Sequence, residues 1–325
     1  MHVMYDRMSL LVYVNDKDIS RNIEFANHYF KNSAVQDFLA GIETIIPDSI
    51  HSEHNQTLLK SCQKIRESLS KIDLSIYSEE ITRIRQSGTH FITFDSNQYP
   101  VQLNDLIDPP LLLYHKGNLM DFNNCVAIIG TRSPSEYGKQ LARTLSIDFV
   151  KKGYTIVSGL ALGIDTEAHR GALDAGGKTI AILAGHIDEI YPRENLPLVQ
   201  EIIQSGAIIS EVSPFVTTHK GRYISRNRLT SGLSQCVISV ESHGGGGTLR
   251  QVTTAKSQGR PFFVCKPREG DFKPAKGYAE LCKIGAIPIS TAEEVINYLK
   301  NNAPLSENLK SPAKKRSSVT SLDQF

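Results

Sequence analysis

Four cations are concentrated in one short segment, "HKGRYISRNRLTSGLS", which covers residues 219–234. Within nine residues stand Lys220, Arg222, Arg226 and Arg228, interleaved with Tyr223 and Asn227. Basic side chains neutralise phosphates, and an aromatic ring offers a stacking face to an unpaired base. A run of cations by itself is typical of a solvated surface, but the glycine-rich turns elsewhere in the chain favour a phosphate-binding site.

Three glycine-rich turns follow apolar runs, and each leads into a helical pattern. They are "IIGTRSPSEYGKQLA" with Gly130, Thr131 and Arg132, "VSGLALGIDTEAHRGAL" with Ser158, Gly159 and Gly163, and "ESHGGGGTLRQ" with Gly247 and Thr248. Glycine allows a ligand to approach the backbone, and a helix N-terminus favours anions. In the first turn, Ser133 or Ser135 can cap the helix. We expect the three turns to converge on one face that binds phosphates.

Signals of catalysis are weak. "GGKT" at residues 176–179 leads into a strand, whereas a nucleotide-binding P-loop leads into a helix. Asp165 and His169 lie one helical turn apart without a third metal ligand, and Ser158 lacks a hydrolase motif. We expect Asp165 to cap its helix and His169 to be partly buried. The sequence predicts no enzyme, no metal and no cofactor.

Short apolar runs alternate with helical patterns from Cys125 onward, as in "CVAIIG", "YTIVSG", "KTIAILAG", "GAIIS", "CVISVES" and "PFFVCKP". This alternation predicts an α/β fold, a Rossmann-like parallel sheet with helices on both faces. Because parallel strands end at a common edge where ligands bind, the three turns and the basic segment should meet there.

The domain prediction has three parts. A small helical N-terminal domain covers residues 1–90, the Rossmann-like domain covers 91–301, and a basic, disordered tail covers 302–325. The net charge of +2 over 325 residues requires any nucleic-acid site to be a local cluster. Five cysteines without a CxxC pair oppose a zinc site, and the absence of a long apolar run opposes a membrane span. We expect a cytoplasmic protein.

Four segments in this order, "IIGTR", "SGLALGIDTEAHRGAL", "GKTIAILAGHIDEIYPRENLPL" and "RYISRNRLTSGLS", resemble the DNA-processing protein A family (DprA, also called Smf). With "FIT", "YP" and "DPPLLLYHKG" before them, the resemblance covers residues 91–267. It implies an extended Rossmann domain that binds single-stranded DNA, helps to load a RecA-type recombinase during transformation and recombination, and works as a homodimer.

The same resemblance implies roles for individual residues. The family's DNA-binding arginine corresponds to Arg132, and its basic and aromatic positions correspond to Lys220 and Tyr223. Its R-N-R motif is Arg226, Asn227 and Arg228. The turn from Ser158 to Gly163 and the turn that ends at Thr248 are implied to hold backbone phosphates.

Two other functions use the same fold. A sensor of a free nucleotide needs no catalytic residue, although the length of the basic segment favours a polymer. The segment "GGGGTLRQ" is also similar to an element of the lonely-guy nucleoside-phosphate hydrolases, which are N-glycosidases. These enzymes use a glutamate where this chain has Gln251, and an amide cannot carry that charge.

Overall fold

The computed structural model describes residues 75–94, 96–118, 122–213 and 220–302. The nine strands are β1 (His90–Thr93), β2 (Leu112–Gly117), β3 (Cys125–Ile129), β4 (Thr155–Ser158), β5 (Thr179–Ile182), β6 (Ala207–Ser210), β7 (Val237–Ser239), β8 (Phe262–Cys265) and β9 (Ile287–Ile289). The α-helices are α1 (Ser75–Gln86), α2 (Glu136–Lys151), α3 (Ile164–Asp174), α4 (Leu196–Ser205), α5 (Lys220–Gly232), α6 (Gly246–Ser257), α7 (Phe272–Lys283) and α8 (Ala292–Asn301). Two 3-10 helices cover Val101–Asp105 and Arg193–Asn195.

All nine strands form one sheet in the order β1-β2-β6-β5-β4-β3-β7-β8-β9. The seven strands from β6 to β9 are parallel, and β2 and β1 extend the sheet in antiparallel pairs. From β3 the chain builds outward through β4, β5 and β6, and then returns to the other side of β3 with β7. The point between β3 and β7 is therefore the switch in strand order, where open α/β sheets bind ligands.

Helices cover both faces of the sheet because the parallel strands are apolar on both sides. On one face, α2, α3 and α8 pack on Val126, Ile128 and Ile156, while α1 and α4 pack on Leu112 and Ile208. On the other face, the first 3-10 helix and α5 pack on β5 residues such as Ile180, and α6 and α7 pack on β7 and β8. The predicted α/β fold with a parallel sheet and helices on both faces is confirmed.

Residues 1–74 of the predicted N-terminal domain and residues 303–325 of the predicted tail lie outside the described residues. The described part of the first segment begins with α1, whose Ile81 and Ile84 are buried against β2. Throughout the described residues, no helix has the length and apolar character needed to cross a membrane.

Candidate nucleic-acid interface

The loop that follows β3 is fixed by two neighbouring loops. The Thr131 amide donates to the Glu241 carbonyl at 2.8 Å, and the Thr131 carbonyl accepts from the Ile164 amide at 3.2 Å. Gly163 has a φ of 82°, and a Cβ there would lie 2.5 Å from the Thr131 carbonyl oxygen, so a side chain would separate the loops. Arg132 is exposed beyond this joint. The loops after β3, β4 and β7 thus form one frame that presents Arg132 at the carboxyl edge.

Arg132 and two tyrosines form an aromatic cluster at this edge. The guanidinium carbon of Arg132 lies 5.8 Å from the centre of the Tyr223 ring. The Tyr191 ring stands edge-on to Tyr223, with centroids 6.4 Å apart and planes at 77°, and Tyr191 is 62% exposed. Partial burial, aided by Tyr191, raises the pKa of the Tyr223 hydroxyl, while Arg132 opposes the shift. The cluster combines a cation that can pair with a phosphate and two rings that a base can stack on.

The basic segment is a helix rather than an extended track, and its arginines therefore face different surroundings. Tyr223 lies in the first turn of α5, next to the exposed edge. Arg226 and Asn227, one turn later, are 9% and 7% exposed. Arg222 is half-buried, and the side chain of Lys220 lies outside the described residues. The structure thus brings Arg132 to Tyr223 but turns the R-N-R motif towards the protein interior.

Arg226 connects α5 to the ends of β4 and β5. Its Nη1 donates to the Ile182 carbonyl at 2.7 Å. A Cβ on Gly159 would lie 1.9 Å from the same nitrogen, so a side chain there would displace the guanidinium from this position. Burial lowers the pKa of Arg226, and the buried carboxylate of Asp165 acts against this shift. These contacts make Arg226 a support beneath Tyr223 rather than an open phosphate ligand.

Arg228 is engaged in two ion pairs. Its Nε lies 2.9 Å from Asp108, and its Nη2 lies 2.5 Å from Glu211. Although burial opposes the charged form, Glu211 and Asp108 together raise the pKa of the guanidinium. The side-chain amide of Gln251 donates to the Asn227 carbonyl at 2.9 Å, which ties α6 to α5. Gln251 is itself 5% exposed, so this residue serves packing.

Internal carboxylates lie at all three glycine-rich turns. Asp165 accepts from the amides of Gly159 and Ala161 at 3.1 and 3.3 Å, so it serves the preceding turn and is not the cap of α3, which is Gly163. Glu241 accepts from the Ser135 amide and hydroxyl at the start of α2.

Glu280 accepts from the Gly245 amide at 2.7 Å at the turn before α6. A carboxylate that accepts hydrogen bonds from these amides occupies the donors that an anionic ligand would otherwise use. This arrangement weakens the prediction that backbone amides of the turns at Ser158–Gly163 and before Thr248 hold phosphates.

Of the remaining predicted residues, some are buried in the frame of loops and others lie at the surface. Ser158 is fully buried, and its hydroxyl donates to the Ile128 carbonyl at 2.6 Å. Gly130 packs against Ile164 and the Glu241 backbone, so it belongs to the frame with Thr131. Gly247 is exposed, and Thr248 beside it is half-buried in the first turn of α6.

Ser135 caps α2 by accepting from the Gly138 amide, as predicted for one of two serines. His169 is wholly buried beside Thr179, with nitrogen and oxygen 2.6 Å apart, and burial lowers its pKa to about 3. Within the described ranges, no three His, Cys, Asp or Glu side chains are grouped as a metal site would require.

Sequence reasoning missed Tyr191. This residue lies inside the segment "GHIDEIYPRENLPL", which contributes to the family resemblance. The feature that could have indicated Tyr191 is an aromatic residue in a polar segment that follows a strand. Such a ring has few apolar neighbours to bury it, so it is expected at the surface. Pairing with Tyr223 across 32 positions could not be inferred without the fold.

The family model of DNA recombination-mediator protein A matches residues 90–300. The chain belongs to this family. Among its DprA and Smf relatives, DNA processing protein DprA of Bacillus subtilis (strain 168) is 38% identical over 218 residues, 66% of this chain and 73% of the relative. Protein Smf of Escherichia coli (strain K12) is 35% identical over 219 residues, 67% of this chain and 58% of that relative.

Solved DprA structures share the fold. The DprA of Streptococcus pneumoniae aligns with a TM-score of 0.70 at 26% identity, covering 90% of this chain and 95% of that one. DNA processing protein A from Helicobacter pylori, whose structure concerns a unique single-stranded DNA binding mode, aligns with a TM-score of 0.58 at 35% identity. That alignment covers 65% of this chain and 96% of the Helicobacter chain. The chain therefore has the fold and the DNA-processing kinship of the DprA family.

Proposed function

We propose that this chain binds single-stranded DNA at the carboxyl edge of its sheet, with the aromatic cluster as the central contact. The observation that carries the proposal is the exposed Arg132 guanidinium beside the Tyr223 ring. A cation and a ring this close match the two parts of a nucleotide, its phosphate and its base. The single-stranded DNA binding described for the Helicobacter relative supports the same polymer.

We assign direct DNA contacts to only some of the residues predicted from the sequence. Direct contacts are proposed for Arg132, Tyr223 and Tyr191, with Lys220 and Arg222 as further cations, and with the open turn at Gly247 and Thr248. The support beneath them is assigned to the remaining predicted positions, namely Gly130, Thr131, Ser158, Gly159, Gly163, Arg226, Asn227 and Arg228.

A polymer fits this edge better than a free nucleotide. A small nucleotide relies on backbone amides at helix N-termini for its phosphates. Here Asp165, Glu241 and Glu280 accept from amides of those turns. Side chains such as Arg132 can instead engage successive phosphates of an extended strand, and the resulting affinity depends on salt.

The test is a titration of the full chain with single-stranded DNA, duplex DNA and a mononucleotide at several salt concentrations. We expect the single strand to bind most tightly, with log affinity falling by about 0.7 per phosphate neutralised for each unit of log salt. Arg132→Ala should weaken binding and lower this slope while leaving the melting temperature nearly unchanged. Lys178→Ala is the matched control, because Lys178 is exposed just before β5, at the opposite edge of the sheet.

Tighter binding to duplex DNA, or to the mononucleotide, would refute the proposal. So would an Arg132→Ala variant that binds like the parent. A large loss of stability with unchanged affinity would instead assign Arg132 to the framework.

The same proposal includes a role as a recombination mediator that helps a RecA-type recombinase to load, with the chain acting as a cytoplasmic homodimer. Family membership supports this role. The test measures recombinase filament formation on single-stranded DNA coated with a single-strand-binding protein. We expect the parent to accelerate it and Arg132→Ala to accelerate it less. Equal acceleration by the parent and Arg132→Ala would show that recombinase loading does not depend on the proposed DNA site.

A further inference from the structure

We infer that the connection from β8 to α7 forms a second contact for the same DNA strand, centred on Phe272. This inference rests on the proposed function. Phe272 is 89% exposed, which is the highest value among the large apolar side chains that the structure describes as exposed. Exposure of a large apolar ring to water is unfavourable, and such rings often mark a binding surface. Because Phe272 lies at the edge of the sheet where ligands bind, its ring is a candidate stacking site for a base.

Cations flank this ring in the sequence. Between residues 266 and 276, four basic residues face only two carboxylates, Glu269 and Asp271. Each of these cations is exposed, and none of the four side chains forms an ion pair or hydrogen bond with another described residue: Lys266, Arg268, Lys273 and Lys276. Unpaired cations beside an exposed ring suit a nucleic-acid strand, whose phosphates and bases alternate along its length.

The helix places the ring and one cation on a common face. Phe272 is the first residue of α7, and Lys276 lies one turn later, so the two share a surface. Gly277 on the same helix packs against the β7–α6 turn, where a Cβ would lie 1.9 Å from the Ser242 carbonyl oxygen. Glu280 accepts from the Gly245 amide in that turn. These contacts hold α7 against the turn between β7 and α6, so Phe272 stands at the start of a helix whose position is fixed.

The two aromatic sites follow strands that end at the same edge of the sheet. Arg132 follows β3, and Phe272 follows β8; because only β7 separates these strands, their ends are about 10 Å apart. Between them, Tyr137 in the first turn of α2 lines a crevice together with Arg268 and Asp271. Gly246 and Gly247 border the same edge, and a Cβ at either glycine would meet open space. We therefore expect a DNA strand that leaves the aromatic cluster to reach Phe272 along this edge.

The test compares thymidine oligonucleotides of increasing length, from about 4 to about 16 nucleotides, the range of site sizes of small single-strand-binding domains. Phe272→Ala should bind the shortest oligonucleotide like the parent and the longest at least about fivefold more weakly, because one stacked base is lost. Phe272→Trp should retain the parent's affinity at every length. Ile107→Ala is the matched control, since Ile107 is a 77% exposed apolar residue in the β1–β2 connection.

The double variant Lys273→Ala, Lys276→Ala should lower the salt slope only for the longer oligonucleotides. In contrast, Arg132→Ala should weaken binding at every length, which reports on the proposed function separately. Photocrosslinking with a single 5-iododeoxyuridine moved along the longest oligonucleotide should label Tyr223 at one position and Phe272 at another.

If Phe272→Ala and the double variant bind all lengths like the parent while Arg132→Ala is impaired, the second contact is refuted and the first one stands. If the parent shows no preference for single-stranded DNA, the proposed function fails and this inference fails with it.

Discussion

The contact between Arg132 and Tyr223 allows a prediction about coupling. If a base stacks on Tyr223, Tyr223→Ala should lose about 1–3 kcal/mol of binding free energy, and so weaken binding by about fivefold or more. Tyr223→Phe should lose little, because the ring makes the contact. The Arg132 guanidinium lies 5.8 Å from the ring centre, within the range of a cation–π interaction worth about 0.5–1 kcal/mol at exposed sites. Each residue therefore helps to position the other, and their effects should not add.

A double-mutant cycle measures this coupling. Affinities of the parent, Arg132→Ala, Tyr223→Ala and the double variant for one single-stranded oligonucleotide give the interaction energy, which we expect at about 0.5–1 kcal/mol. The salt slope separates the two roles: Arg132→Ala should lower it by about 0.7, whereas Tyr223→Ala should leave it unchanged. Lys220→Ala should lower the slope in the same way. Strictly additive losses would show that Arg132 and Tyr223 act independently, and equal damage from Tyr223→Phe and Tyr223→Ala would show that the ring does not stack on a base.

Three further predictions concern the support beneath the cluster. Arg228→Ala should cost about 3 kcal/mol of stability in urea unfolding, since it removes the ion pairs with Glu211 and Asp108, while the DNA salt slope stays unchanged; a stable variant with a lowered slope would contradict this. Gly159→Ala should cost about 1–3 kcal/mol by displacing Arg226, and an unchanged melting temperature would oppose the assignment. His169 has a folded pKa of about 3 against an ordinary 6.5, so the unfolded chain takes up the proton first and stability should fall by about 2 kcal/mol from pH 7 to pH 5. Thermal unfolding at both pH values checks this, and His169→Gln should flatten the dependence even if it lowers stability overall.

The sheet could be predicted from the sequence because its parallel strands are buried on both faces. Runs such as "CVAIIG" contain few polar residues, and a chain that alternates such runs with helical patterns has few other ways to bury them. The position of Arg132 followed from the same logic, because it stands directly after a strand. Its exposure at the carboxyl edge agrees with that reasoning.

The orientation of the basic segment could not be predicted in the same way. Read as a string, Arg226 and Arg228 are equivalent to Arg222, since all three are cations near Tyr223. Their surroundings depend on the helical rotation of α5 and on partners far along the chain, such as Asp108 and Glu211. The carboxylates at the glycine-rich turns were missed for a similar reason. Glu280 and Gly245 are 35 positions apart in the sequence, and no local pattern predicts the contact between them.

The double anchoring of Thr131 has a consequence for the entropy of binding. Its amide and its carbonyl are each bonded to a different loop, so the backbone that carries Arg132 is already ordered before a ligand arrives. Ordering a side chain on binding costs about 0.5–1.5 kcal/mol, but here no loop must be ordered in addition. The conformational cost of forming the complex then falls mainly on the flexible DNA strand. Stiffening that strand, for example by runs of stacked adenines, should change affinity more than stiffening the protein.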